Sequence, residues 1–150
     1  MNFREATIVD IPQLQFVRNA VRENALSNPA IVPDKDVEDY IIHRGKGWVC
    51  EIDNKVVGFA IVSVDDNNVW ALFVQPGYDK QGIGKRLHDD MMHWYFSQTD
   101  KDIWLSTAPD TRAEEFYRTA GWRQTGVTKK GEIKFEMTAE EWKSNQLIDK

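Results

Sequence analysis

Residues 74–87 read Val74-Gln75-Pro76-Gly77-Tyr78-Asp79-Lys80-Gln81-Gly82-Ile83-Gly84-Lys85-Arg86-Leu87, and here an apolar run gives way to a helical period. Upstream, Val69-Trp70-Ala71-Leu72-Phe73-Val74 is apolar on both faces, as a central strand requires. Downstream, Ile83, Leu87, Met91 and Trp94 share one stripe of a helix expected from about Gly82 to Ser97. Small residues at such a junction let backbone N–H groups approach an anion, and the helix N-terminus adds its positive dipole end. Spacing excludes two familiar nucleotide loops. The third glycine of a dinucleotide fingerprint would fall on Leu87. A phosphate-binding loop built on Gly77 and Gly82 meets Ile83 and Gly84 where Lys and Ser or Thr are required.

On the N-terminal side, Arg4 to Val9 reads as a short opening strand. Asp10 with Gln13 makes an N-cap and capping box ahead of Ile11, Leu14, Val17 and Val21, a helix expected to reach about Ala25 before Ser27-Asn28-Pro29. After a loop to Pro33, Asp34 or Asp36 caps a short helix carrying Val37, Tyr40 and Ile41. From Trp48 the period is two: Trp48 to Ile52, a turn at Asp53-Asn54, then Val56 to Val64. That hairpin leads through Asp65-Asp66-Asn67-Asn68 into the central strand. On the C-terminal side, Ile103 to Thr107 is a strand, and Thr111 with Glu114 boxes a helix bearing Ala113, Phe116, Tyr117 and Ala120, with Gly121 just past its end. A hairpin of Trp122 to Thr128 and Glu132 to Thr138 follows, then a terminal helix opened by a Thr138–Glu141 box. The order β, α, α, three strands, α, β, α, two strands predicts a mixed α/β fold with helices on the faces of its sheet.

The chain has 150 residues, no internal repeat and no Pro-, Gly- or Ser-rich linker, so one domain over 1–150 is expected. With 19 Lys and Arg against 24 Asp and Glu, the net charge of -5 argues against nucleic acid or anionic lipid as a partner. No apolar run approaches the roughly 20 residues of a bilayer span, and Met1 to Glu5 shows no charged-then-apolar export pattern. Cys50, the one cysteine, has no internal partner, which suits a reducing, cytoplasmic setting.

The stretch Leu72, Val74, Pro76, Tyr78 and Gln81-Gly82-Ile83-Gly84 resembles the GCN5-related N-acetyltransferase (GNAT) family, whose motif is Gln/Arg-x-x-Gly-x-Gly/Ala between a central strand and a helix. A second stretch, Asp110-Thr111-Arg112-Ala113-Glu114-Glu115-Phe116-Tyr117-Arg118-Thr119-Ala120-Gly121-Trp122, is similar to the family's Asn-x-x-Ala-x-x-Phe-Tyr-x-x-x-Gly-Phe. Three positions depart from the pattern: Asp79 stands where Arg or Gln is usual, Lys80 where Gly is common, and Asp110 in place of Asn. The resemblance implies the acyl-CoA N-acyltransferase fold, a mostly antiparallel central sheet of about seven strands flanked by helices. It further implies acetyl-CoA as cosubstrate. Its pyrophosphate would meet the loop amides of Gln81, Gly82, Ile83, Gly84, Lys85 and Arg86, its pantetheine arm the backbone of Phe73 and Val74, and Asp110 would stand at the second motif's cofactor contact.

By the same resemblance Tyr117 donates the proton to the departing sulfur, and a backbone N–H near Phe73 polarises the thioester carbonyl. Read from periodicity alone, Tyr117 is a core aromatic on the stripe of Ala113, Phe116 and Ala120. Lys85 and Arg86 are phosphate neutralisers or plain helix surface. Glu51, Asp65 and Glu132 are the carboxylates that enter as base candidates, and none is assigned. His88 and His93, five apart on a helix, face different directions, so no metal site is expected. Cys50 alternates with Trp48 and Ile52 as a small buried hydrophobe. Trp48, Trp70, Trp104 and Trp122 read as packing, and Glu23, Asn24 and Ser27 fall in the loop that lines the acceptor side in the family. The expected activity is acetyl transfer to a primary amine of a small molecule or peptide by direct attack in a ternary complex. The alternatives are a catalytically silent acyl-CoA-binding or partner-binding module, and an enzyme for longer acyl chains. The strand after Gly121 offers an edge to a second copy, which makes a homodimer a candidate assembly.

Overall fold

A computed structural model describes residues 1–21 and 32–148. The expected helix end at Ala25 and the acceptor-side residues Glu23, Asn24 and Ser27 lie outside the described residues. The fold is a seven-stranded, mostly antiparallel sheet flanked by helices, as the sequence implies. The chain parts into two compact units, Met1–Tyr95 and Phe96–Lys150.

The first unit carries β1 (Asn2–Glu5), α1 (Ile11–Val21), α2 (Asp34–Asp39), β2 (Gly45–Ile52), β3 (Lys55–Ser63), β4 (Asn68–Val74) and most of α3 (Ile83–Gln98). Its strands run β1-β2-β3-β4, each antiparallel to the next. Asp53 and Asn54 have φ of +52° and +65°, the left-handed pair that a two-residue hairpin loop demands, and so they fix the β2–β3 register. Val49, Phe59, Ile61 and Ala71 bury one sheet face against Ile11, Leu14 and Val17 of α1. On the other side α3 comes very close: a Cβ on Gly58 would lie 3.1 Å from Ile83 and 3.2 Å from Leu87. A glycine in β3 therefore seats the first turn of α3, and with it the loop ahead of that turn.

The opening strand is shorter than expected, because it ends at Glu5 and Ile8–Asp10 form a 3-10 turn instead of strand. The capping pair moves with it. Asp10 does not cap α1. Its carboxylate accepts from the Thr7 N–H at 2.8 Å and takes both arms of Arg4 at 2.7 and 2.8 Å, while Gln13 turns inward to accept from the Val56 N–H at 2.9 Å. Likewise α2 begins after Pro33 with no side-chain cap from Asp34 or Asp36, and Tyr40–Arg44 continue it as a π-helical turn.

The second unit carries β5 (Ile103–Thr107), α4 (Arg112–Thr119), β6 (Arg123–Val127), β7 (Ile133–Met137) and α5 (Ala139–Ile148). Its strands run β5-β7-β6, with Leu105 and Phe135 paired and buried. The Thr138–Glu141 box forms in full, at 2.9 and 3.0 Å. β6 stands last in the strand order, and Thr125 is an extra residue opposite β7, a bulge that distorts the exposed edge on which pairing with a second copy would depend.

Candidate active site

The loop between β4 and α3 is shaped by three left-handed residues, Gly77 (φ +96°), Lys80 (+66°) and Gly82 (+79°). Tyr78 N–H closes a turn onto the Gln75 carbonyl at 3.0 Å, and Asp79, at the departure from the family pattern, accepts from the Gly77 N–H at 3.2 Å. Gly82 ends the loop. The Arg86 N–H reaches its carbonyl at 3.0 Å, so the helical ladder starts there and the amides of Gly82, Ile83, Gly84 and Lys85 come before the first intrahelical donor. A Cβ placed on Gly77 or Gly82 would meet nothing within 4 Å. Gln81 and Gly82 are exposed, whereas Ile83 and Leu87 are buried and hold the turn onto Gly58. Lys85 and Arg86 are exposed and pair along the helix with Asp89 and Asp90 at 2.9 and 3.0 Å, and Arg86 also lies over the Phe3 ring.

In β4, Phe73 pairs with Phe59 and Val74 with Gly58, and the Gln75 N–H donates to the Val57 carbonyl at 2.7 Å. Alternation in an antiparallel ladder then turns the Phe73 amide toward β3 and the Val74 amide away from it. Of the two residues expected near the thioester, Val74 is the one whose N–H is aimed off the hairpin. Further back, Ile61 faces Ala71 and Val62 faces Val69, which leaves Trp70 as the extra residue of a bulge. The bulge brings Trp70 and Phe73 to one guanidinium: Arg18 of α1 sits 5.1 Å from the first ring and 5.3 Å from the second. Strict alternation, as read from sequence, would put those rings on opposite faces.

In the second unit, Thr111 caps α4 by accepting from the Glu114 N–H at 3.2 Å, but Glu114 completes no reciprocal box. Its carboxylate takes the Asp110 N–H instead, at 2.8 Å, and Asp110 itself is left-handed at φ +60°. Asp110, Thr111, Arg112 and Glu114 line a shallow surface depression. Tyr117 lies on the inner face, 6% exposed, with Phe116 and Trp122 edge-on at 5.3 and 5.7 Å and Phe135 at 6.2 Å. Burial alone pushes its phenol above the ordinary tyrosine value, so it is held protonated at neutral pH. The helix end fixes its backbone: Gly121 (φ +96°) donates to Arg118 and Trp122 N–H donates to the Tyr117 carbonyl at 3.0 Å.

The carboxylates considered as bases are engaged or solvated. Glu51 takes Arg4 at 2.9 Å and Asn2 at 3.1 Å, Asp65 is exposed, and Glu132 accepts from the Ser106 hydroxyl at 3.1 Å. His88 is buried with Nδ1 2.9 Å from Asp89, while His93 is exposed. Among the described residues no cluster of three His, Cys, Asp or Glu could hold a metal, and no helix is long and apolar enough to cross a membrane. Cys50 is fully buried, which raises its thiol above the usual range. Trp48 and Trp122 are buried, Trp70 and Trp104 half-buried.

The model of the acetyltransferase (GNAT) family matches residues 14–122, a span that runs through both units. The chain belongs to the GNAT acetyltransferase family. Its cosubstrate is therefore acetyl-CoA. Solved structures agree in fold. A PaiA N-acetyltransferase from Thermoplasma acidophilum in complex with coenzyme A superposes with a TM-score of 0.78 at 15% identity, covering 91% of this chain and 98% of that one. A GNAT acetyltransferase from Staphylococcus aureus Mu50 gives 0.77 at 21%, covering 92% and 98%. A ribosomal-protein-alanine N-acetyltransferase from Brucella melitensis gives 0.74 at 19%, covering 92% and 99%. No functionally curated sequence matches the chain.

The residues present fit such a cosubstrate. Gly82, at the start of α3, has open space where a Cβ would stand, and a helix start with room beside it is the arrangement a phosphate needs. In this GNAT chain Lys85 and Arg86 are exposed and carry helix ion pairs with Asp89 and Asp90. The sequence reading passed over Arg18 and the bulge at Trp70. A signal for Arg18 exists, since it interrupts the apolar stripe between Val17 and Val21 with a charge.

Proposed function

We propose that this GNAT chain is a single acetyltransferase domain that moves the acetyl group of acetyl-CoA to a primary amine of a small molecule or peptide, by direct attack in a ternary complex. The observation that carries the reading is Gly82: left-handed, open on its Cβ side and placed at the start of α3 by the Gly58 contact. Acetyl-CoA supplies an activated thioester, and the chain supplies binding, polarisation and a proton. Amides of Gln81, Gly82, Ile83, Gly84 and Lys85 bind the pyrophosphate, the Arg86 amide being already committed to the Gly82 carbonyl, and the backbone of Phe73 and Val74 aligns the pantetheine arm. The Val74 N–H, aimed away from β3, is the donor for the carbonyl. Tyr117, kept neutral by burial, gives its phenolic proton to the sulfur.

Steady-state kinetics over an amine panel, read as free thiol released, tests this reading. Intersecting double-reciprocal lines are expected, and parallel lines would replace direct attack with an acyl-enzyme. Tyr117→Phe is expected to lower kcat on the order of 10²-fold with little change in acetyl-CoA affinity. One observation favours a second reading, the silent acyl-CoA-binding module: Tyr117 is packed among Phe116, Trp122 and Phe135 as a core residue would be. Tight acetyl-CoA binding with no thiol release on any amine would select that module. A cytoplasmic location and a homodimer through β6 belong to the same proposal, and a monomer mass by light scattering would overturn the dimer.

A further inference from the structure

Tyr117 is the third residue from the C-terminal end of α4, and the chain leaves that helix through Ala120, the left-handed Gly121 and then Trp122. Two hydrogen bonds close the exit: the Gly121 N–H donates to the Arg118 carbonyl at 3.2 Å and the Trp122 N–H to the Tyr117 carbonyl at 3.0 Å. This is a Schellman ending, in which the residue after the glycine commonly packs on the third residue from the helix end. Here those two residues are Trp122 and Tyr117. Trp122 therefore holds Tyr117 twice, by its backbone amide and by a buried ring standing 5.7 Å away at 73°. Phe116 adds a second ring at 85° and Phe135 of β7 a third at 43°. A phenolic oxygen lies on the axis of its Cβ–Cγ bond, so spinning the ring leaves it in place and only χ1 moves it. On a helix a tyrosine has two open χ1 wells, and a wall beside the ring decides between them.

We propose that Trp122 is the positioning residue for the proton donor: its ring confines Tyr117 to one χ1 well, so that the phenolic oxygen stays where the sulfur departs. The proposal rests on the acetyl-transfer reading, which gives Tyr117 that proton. It also divides two meanings of the same packing. A core tyrosine needs only bulk around it, whereas a positioned donor needs a rigid edge, because a displacement of about 1 Å at a reacting group can cost on the order of 10²-fold in rate. The family's second motif has Phe where this chain has Trp122, so the smaller ring is the conservative change.

The test compares Trp122→Met, which keeps bulk without a ring, with Trp122→Phe, each in the full chain and in its Tyr117→Phe variant. Trp122→Met is expected to lower kcat about tenfold while acetyl-CoA affinity by calorimetry stays within about twofold, and Trp122→Phe to recover most of the loss. In the Tyr117→Phe background the Met substitution should cost nothing more, since no donor is left to misplace. Fluorine NMR of fluorotyrosine-labelled protein gives a readout independent of turnover. The Tyr117 signal, identified by its absence in Tyr117→Phe, should be single in wild type and split or broadened in Trp122→Met, with Tyr40, Tyr78 and Tyr95 unmoved. Should Trp122→Met not fold, Trp122→Leu is read in the same cycle. Wild-type kcat in the ring-free variant overturns the proposal. So does an equal loss in both backgrounds, as a structural role would give, or a Trp122→Phe no better than Trp122→Met. Failure of the underlying reading looks different: wild type itself releases no thiol on any amine, which overturns acetyl transfer and the positioning role together.

Discussion

Gly82→Ala separates what the loop does for the fold from what it does for the cosubstrate. At φ +79° an alanine is strained by about 1–2 kcal/mol, but its Cβ meets nothing within 4 Å, so no packing cost is added. Against a total of about 5–15 kcal/mol the domain stays folded, with a Tm lower by about 2–8 °C. The same new methyl projects into the space assigned to the pyrophosphate, and acetyl-CoA affinity is expected to fall at least tenfold, or about 1.4 kcal/mol. Gly77→Ala is the matched control, with φ +96° and an equally open Cβ, but placed upstream of the helix start. Its Tm should fall alike and its affinity change little. Gly82→Glu adds a carboxylate: at about 4 Å from a phosphate oxygen and a near-surface dielectric, repulsion is roughly 4 kcal/mol before screening. Salt then shrinks the loss, because exposed charges are screened over about 8–10 Å at ordinary ionic strength. Isothermal calorimetry with acetyl-CoA and with acetyl-pantetheine, at low and high salt, reads all of this. The reasoning is refuted if folded Gly82→Ala and Gly82→Glu bind acetyl-CoA as wild type does, or lose acetyl-pantetheine equally.

Other expectations concern the framework. Asp10 is buried at 3% exposure, and the Arg4 guanidinium beside it holds its carboxyl below the usual carboxylate range. Its contribution is therefore present at neutral pH and lost as pH falls below about 4. Asp10→Asn should cost about 1–3 kcal/mol at neutral pH, since it removes one of the two carboxylate partners of the half-buried Arg4 and leaves only Glu51, and should flatten the acid limb of urea stability. An acid limb as steep as that of wild type would count against it. Gly121→Ala faces both φ +96° and a Cβ that would crowd the side-chain amide of Asn145. Asn145→Ala should relieve the second term, so a double-mutant cycle that proves additive would show the clash is absent. For Tyr117 the sign runs the other way: a phenol raised by burial stabilises fully below the ordinary value near 10, and stability falls as pH climbs above it. Tyr117→Phe should flatten that alkaline limb in chemical denaturation, and an unchanged limb would place the titration elsewhere.

Much of the fold was legible because it is written in local rules. Asp53-Asn54 sits where a hairpin needs two left-handed residues, Gly121 where a helix must turn left-handed, and Thr138 with Glu141 closes on itself within four residues. The errors came where a local preference met a stronger distant partner. Asp10 has the right spacing to cap α1 with Gln13, but Arg4 and Thr7 claim its carboxylate and Val56 claims Gln13. Glu114 has the spacing of a box, yet its carboxylate serves the amide of Asp110. The glycine loop and the place of Tyr117 on α4 were readable through two motifs, whereas the bulge at Trp70 that brings Trp70 and Phe73 to Arg18 was not, because it is set by pairing with β3.

By itself the sequence determined the order of elements, the family and the position of the glycine loop, since each rests on spacing within a few tens of residues. Only tertiary structure decided which donors and charges face that loop. The Val74 amide is turned away from β3 by strand pairing, Lys85 and Arg86 are drawn into pairs with Asp89 and Asp90, and Trp70 is turned by one unpaired residue toward Arg18. Register, bulges and competition for partners are properties of chains packed against each other, and no window of sequence contains both sides of such a contact.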